Sequence, residues 1–453
     1  MMTIRSSMAA SVLCLCSLAG TAAAADWHVA PGGTGVGTAA APFGRIQDAI
    51  VVAQPGDTVL VAPGTYAEAL ATVRAGTPES AITLRARDSR GSAIVTFPGR
   101  VLTVGHAYIT VEGLVLDGQY GSDDVVRVGS AGARFTLRNS EVRSTSRDAI
   151  DIGAAADVLI EGSLIHHALN ATDGRTDAHG IVAGAARRLT IRNTEVHTFS
   201  GDAFQIDPGR SAPGWGEVLI EGCTFWLRPL PEAVNGFAAG VVPGENAVDT
   251  KVGASLPRGT LTIRNSEFYG FGGGLIANMA ALNLKENVDA IVDGVTIHGS
   301  EIAFRLRGPA NVRVQNAVVH SVAVAVRYED NIQGLRVWNS TFGNSIGRAF
   351  VAASSSASVI DVRNLAVLGT ALPSEANGPS NVALPTTAFV NAAGHDYQLS
   401  ETSAAIDKGV AIPEVTTDRR GTPRPQGSAH DVGAYERGRK PSPPTNLRIV
   451  RVE

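Results

Sequence analysis

The chain has 453 residues and a formal net charge of −4, a balance too close to neutral to point to nucleic acid. Three cysteines and 5 % aromatic residues exclude a disulfide scaffold, while fifty glycines point to many short strands and turns. No apolar run in the sequence is long enough to predict membrane insertion.

Residues 1–25 read as an export signal. Arg5 gives a positive start, Met8 to Ala19 is mostly apolar, and the small residues through Ala25 offer an Ala-x-Ala cleavage site. Cys14 and Cys16 fall inside this segment, and neither follows the small residue a lipid-anchored signal needs. The expected location is therefore secreted, extracellular or periplasmic. Cys223 is then alone, so stability must come from packing, and a chain of this length can bury a large core. Next, "PFGRIQDAIVVAQPGDTVLVAPGTY" from residue 42 predicts a short helix with Ile46, Ala49 and Ile50 on one side. A helix there would cap the open end of a repeat that exposes core and strand edges.

The repeat begins at "TVEGLVL" (110) and returns as "TLRNSEV" (136), "LIEGSLI" (159), "TIRNTEV" (190), "LIEGCTF" (219) and onward to "DVRNLAV" (361). Each copy is an alternating apolar strand, an Asn or Gly, and a second short strand. Asn and Gly accept left-handed backbone, so the shared position is a corner repeated coil after coil. The corners are Gly113, Asn139, Gly162, Asn193, Gly222, Asn265, Gly294, Asn316, Asn339 and Asn364. A period in the low twenties with inward Val, Ile and Leu predicts an all-β chain, a right-handed parallel β-helix. A propeller would need about 40 residues per unit.

Between Gly162 and Gly294 the corner spacings lengthen to 31, 29, 43 and 29 residues. Insertions in a solenoid emerge as loops, and loops over adjacent coils build a groove. Aligning the following segments gives "DAIDIG" from Asp148, "DAHGIV" from Asp177, "DAFQID" from Asp202 and "NAVDTK" from Asn246. This alignment predicts Ile150, His179, Phe204 and Val248 as one inward column. It also stacks Asp148, Asp177 and Asp202 about 4.8 Å apart, where carboxylates repel unless something positive lies among them. Calcium suits such a set, and Asp148, Asp177, Asp202 and Asp249 are the candidate ligands. Aspartates bonding their own turns are the plainer alternative. His166 and His167 read as surface residues, and Cys223 as a small buried hydrophobe.

In "ENAVDTKVG" (245–253), Asp249 and Lys251 are two apart and leave the strand on one face. A uronic acid polymer carries a carboxylate beside an acidic carbon–hydrogen bond. β-Elimination needs a base for that proton and positive charge for the carboxylate. Lys251 is the candidate base; calcium beside it would ease off its proton, while Asp249 opposes this. Arg305, Arg307 and Arg327, further along, are candidates to bind neighbouring sugar carboxylates.

The repeat, the capping helix and the Asp ladder followed by a lysine resemble the family-nine polysaccharide lyases, which include pectate lyases. That resemblance implies an acidic polysaccharide as partner, calcium held by aspartates of neighbouring coils, and a lysine base. Asp177 and Asp202 match two ligand positions and Lys251 the base. The sequence departs from the family where Gly201 precedes Asp202, where Gln205 follows, and where Asp249 stands in the usual place of the lysine. Residues 386–438, "DYQLSETSAAIDKGV" through "DVGAYERG", resemble the closing segment of choice-of-anchor β-helices, and 439–453 form a Pro-rich tail. The expected domains are thus the signal, a β-helix over 26–385, the closing segment and the tail, in a monomer. A β-helix glycoside hydrolase and a non-catalytic carbohydrate-binding or adhesin-type solenoid are the competing readings.

Overall fold

The computed structural model describes residues 23–171, 177–354 and 359–438; the expected export signal up to residue 22 and the Pro-rich tail lie outside them. Thirteen parallel strands, from Asp26–Val29 to Ile360–Arg363, form one sheet in which each strand pairs with its counterpart one coil away. Beyond the corner, each coil makes a second run, such as Glu195–Phe199, and a third, such as Phe204–Ile206. The second and third runs merge into one 22-stranded sheet, because Thr296–Arg307 and Val318–Glu329 pass through both. The chain is a parallel β-solenoid.

Its corners are where the sequence put them. All ten expected positions have positive φ, from 43° at Asn339 to 75° at Gly113, the backbone region Asn and Gly tolerate best. A second bend, between the second and third runs, is also left-handed, at Ser144, His167, Thr198 and Gly270. Inside, Ile150, Ile181, Phe204, Val248 and Leu282 are fully buried. Outside the first sheet, charge alternates coil by coil through Glu112, Arg138, Glu161, Arg192, Glu221 and Arg264. Arg192 meets both Glu161 (3.5 Å) and Glu221 (3.0 Å). Such pairs contribute little stability each, but a coil slipped along the stack would set like charges together.

The ends are closed. Helix Ile46–Val52 buries Ile46, Ala49 and Ile50 against the first coils. Its first N–H groups are met by Glu68, at 2.7 Å from Ile46 N, as a helix start requires. At the other end, Arg424 is fully buried against Glu436 at 2.9 Å. The same segment reaches back to the corners, with Val410 N donating to Asn364 Oδ1 and Ala434 N to Thr341 Oγ1. Cys223 is buried and free, and burial pushes its thiol up to about 12. Among the described residues no helix is long and apolar enough to cross a membrane.

His166 and His167 are not isolated surface residues. His166 starts a stack of rings along the second run, through His197, Trp226, Tyr269, His298 and His320 to His395.

Candidate active site

The third run carries an outward polar row. Pairing sets Gln205 beside Asp249, Asp249 beside Asn283, Asn283 beside Arg305 and Arg305 beside Arg327. Each step is one coil, about 4.8 Å. Asp249 is only 4 % exposed, yet three donors from two coils converge on it. Lys285 Nζ stands 2.8 Å from Oδ1, Asn283 Nδ2 donates to Oδ1 at 2.9 Å, and Lys251 Nζ lies 3.6 Å from Oδ2. Burial pushes the Asp249 carboxyl up to about 6 and Asp202 adds to the rise, against the pull of Lys285 and Lys251.

Backbone contacts hold the two lysines in fixed relation. Thr250 Oγ1 donates to Lys285 O and accepts from Lys285 N, at 3.0 and 2.8 Å. Buried Trp215 donates its indole N–H to Lys251 O at 2.8 Å, and Val252 N donates to Glu286, which Arg210 holds in turn. Lys285 was not singled out from sequence. Its signal was present, since "VDTK" at 248 returns as "LNLK" at 282, with lysine at the same offset on the next coil.

The acidic ladder differs from expectation in register. Ile150 pairs with Ile181, and Ile181 with Phe204, so the residues two places earlier align as Asp148, His179 and Asp202, followed by Asn246. The expected alignment would have put an imidazole into an aliphatic column. A shift of two residues keeps every side chain on its own face and moves Ile181, expected level with Ile152 and Ile206, into the column of Ile150 and Phe204. His179 thereby stands between carboxylates, with Nδ1 2.9 Å from Asp148 Oδ1 and Nε2 3.7 Å from Asp202 Oδ2. Burial alone would lower the imidazole, but the hydrogen bond and charge of Asp148, then Asp202 and Asp177, raise it to about 8.

Asp177 falls outside the ladder, exposed at its rim. Gly201 makes room for this arrangement: a Cβ there would lie 2.8 Å from the His179 ring and 2.9 Å from Asp177 Cβ. Glu245, also missed from sequence, joins the same electrostatic cluster. Burial pushes it up to about 7, with Asp202 and Asp177 adding to the shift.

The 43-residue coil between Gly222 and Asn265 folds back beside this face. Its Leu230 and Phe237 pack on Leu169, and Asn235 donates to Ser146 Oγ at 2.9 Å.

The arginines are less free than expected. Arg305, Arg307 and Arg327 all pair with Glu329, at 2.8, 3.2 and 3.2 Å, and Arg307 also meets Asp330. Three guanidinium groups thus face two carboxylates, leaving a surplus of positive charge.

The four expected calcium ligands are not gathered. Asp202 Oδ1 accepts from Asn246 N and Nδ2, and its Oδ2 from Gln205 Nε2. Asp148 Oδ1 accepts from His179 N and Nδ1, and Asp249 is held by lysines. These N–H donors occupy lone pairs that a cation would need. Among the described residues, the carboxylates within 4.8 Å of one another in a group of three are Asp124, Asp148 and Asp151. Arg127 pairs with Asp151, and Arg147 stands 3.2 Å from Asp124. The residues present do not fit calcium as the sequence pattern arranged it.

The parallel solenoid is an architecture shared with solved structures whose names are those of polysaccharide lyases and an epimerase. The chain is similar to the pectate lyase Pel9A (TM-score 0.51, 18 % identity, 92 % of this chain and 98 % of that one). It is also similar to a rhamnogalacturonan lyase (TM-score 0.53, 14 % identity, 81 % and 90 %). A third is the A-module of the Azotobacter vinelandii mannuronan C-5 epimerase AlgE6 (TM-score 0.51, 16 % identity, 75 % and 92 %). At these identities the likeness is one of fold. No protein-family model matches the chain, and no curated protein matches it in sequence.

Proposed function

We propose that this protein is a secreted polysaccharide lyase that cleaves a uronate-containing polymer by β-elimination, with Lys251 as the base. The observation that carries the reading is the convergence of Lys251 and Lys285, from consecutive coils, on one buried carboxylate, Asp249. Lys285 makes the shorter contact and so leaves Lys251 the looser ion pair. In the proposed reaction, Lys251 Nζ accepts the proton on the carbon next to the substrate carboxylate. The electron pair left behind forms a carbon–carbon double bond as the glycosidic carbon–oxygen bond breaks, and the leaving oxygen takes up a proton. Lys285 supplies fixed positive charge close to where negative charge develops. Arg305 and Arg327, two and three coils from Asp249, give the groove a basic end suited to the carboxylates of neighbouring sugars.

The test is the product. Purified protein incubated with a panel of uronate-containing polysaccharides should generate unsaturated ends that absorb in the ultraviolet. New reducing ends without that absorbance would identify a hydrolase, and binding with neither product a carbohydrate-binding solenoid.

A further inference from the structure

The ladder Asp148–His179–Asp202 poses a physical question that the lyase reading leaves open. Two buried carboxylates that flank the same coil, one on the coil before it and one on the coil after, call for a positive partner between them. One solution is a metal, and the other is already in the chain. His179 is 6 % exposed and occupies the interval between the two aspartates, one ring nitrogen on each side. Its backbone N–H also donates to Asp148 Oδ1 at 3.0 Å. Gly201 closes the remaining space with backbone, because even a methyl group there would strike the imidazole. On the far side Asn246 and Gln205 supply three N–H donors to Asp202. Asp202 is therefore held at both oxygens, and Asp148 at Oδ1, by protein donors, and the interval between the two aspartates holds a side chain.

We propose that His179, and not a divalent cation, is the permanent counter-group of the Asp148–Asp202 ladder, so that the folded groove is indifferent to calcium. This deepens the lyase reading, which supplies the groove, but its readout does not depend on catalysis. The decisive measurement is the melting temperature of the full chain in chelator and in excess calcium. The expected result is the same curve in both; a rise with calcium, reversed by chelator, would overturn the proposal, since a ligand of the folded state stabilises by mass action. His179→Asp should create what the native chain lacks. With a third carboxylate in the ladder, that variant is expected to melt lower in chelator and to recover in calcium. A His179→Asp protein that folds and ignores calcium would show that the ladder needs no counter-group, against the proposal. If it does not fold, the native melting curves still decide. If no polymer is cleaved but the native curves coincide, the lyase reading fails while this inference stands.

Discussion

Lys285 reaches across one coil to Asp249, its ammonium 2.8 Å from Oδ1, closer than Lys251 on Asp249's own strand at 3.6 Å. The shared carboxylate is nearly sealed from solvent, whereas Lys251 and Lys285 remain 20 % and 14 % exposed at the side chain. A buried acid with two ammonium groups at its open side is costly as a surface decoration. It makes sense where positive charge must be held at a fixed point above the sheet.

If Lys251 is the base, Lys251→Ala is expected to lower elimination by roughly 10²–10⁴-fold, the usual contribution of a positioned acid or base. Lys251→Arg should be nearly as poor, because guanidinium keeps its proton at working pH. Both should keep their fold, since Trp215 and Ile206 contact only the Lys251 backbone. Initial rates from ultraviolet absorbance check this, and wild-type rates in Lys251→Ala would leave Lys251 an ordinary ion-pair partner.

His179 predicts a pH dependence of stability with a definite sign. Its folded-state pKa, about 8, is raised above the ordinary value of 6.5, so the folded state binds the proton more tightly. The stabilisation is complete below the unfolded pKa and is lost as pH rises from about 6.5 through 8. Its size is on the order of 1–2 kcal/mol. Glu245, raised from 4.5 to about 7, changes stability in the same direction but over the lower window from 4.5 to about 7. Chemical denaturation across this range should therefore show falling stability for the native chain and a flatter profile for His179→Gln. A native profile that rises with pH would contradict the ladder geometry.

The solenoid was legible because its determinants are local and repeated. A left-handed corner favours Asn or Gly, and ten such positions reported the coil length without knowledge of any contact. The site was less legible because it depends on register between coils, which a spacing of corners does not fix. "DAIDIG" and "DAHGIV" align naturally by their shared Asp-Ala, yet the coil carrying His179 is offset by two residues. What sets that offset is burial: Ile181 fills the aliphatic column and His179 finds carboxylates on both sides. Lys285 was readable from the "VDTK" and "LNLK" pair, but only to an argument following the third strand of each coil rather than the corner before it. That the three arginines share Glu329 could not be seen from spacing, because the glutamate and Arg307 meet only through pairing between coils.

Gly201→Ala tests the packing around the ladder. The added methyl carbon would sit 2.8 Å from the His179 ring, too close without a shift of the imidazole. Overpacking of this kind costs typically 1–3 kcal/mol. The expected outcome is a lower melting temperature together with a shallower pH profile between about 6.5 and 8, because a displaced His179 loses its contacts to Asp148 and Asp202. A loss of stability with the native pH profile intact would place the strain elsewhere, on Asp177.

The Asp249–Lys285 contact separates charge placement from proton transfer. Asp249→Asn removes the carboxylate but keeps the shape, leaving two ammonium groups without their buried partner. Breaking a buried pair by one member costs roughly 3–5 kcal/mol in well-buried cases, and the exposure of both lysines puts the expected loss at or below the low end of that range. Lys285→Gln leaves Asp249 with Asn283 and Lys251, so its stability loss should be smaller. The two substitutions share a contact and should be non-additive: the double variant should lose less than the sum of the single losses. Activity should divide differently. Lys285→Gln removes fixed positive charge while Lys251 can still accept a proton, so its rate should fall yet keep rising with pH as the base is freed. Lys251→Gln should leave a low rate with no such rise. Were the two lysine variants to give the same pH–rate profile, the assignment of base to Lys251 and fixed charge to Lys285 would have to be abandoned.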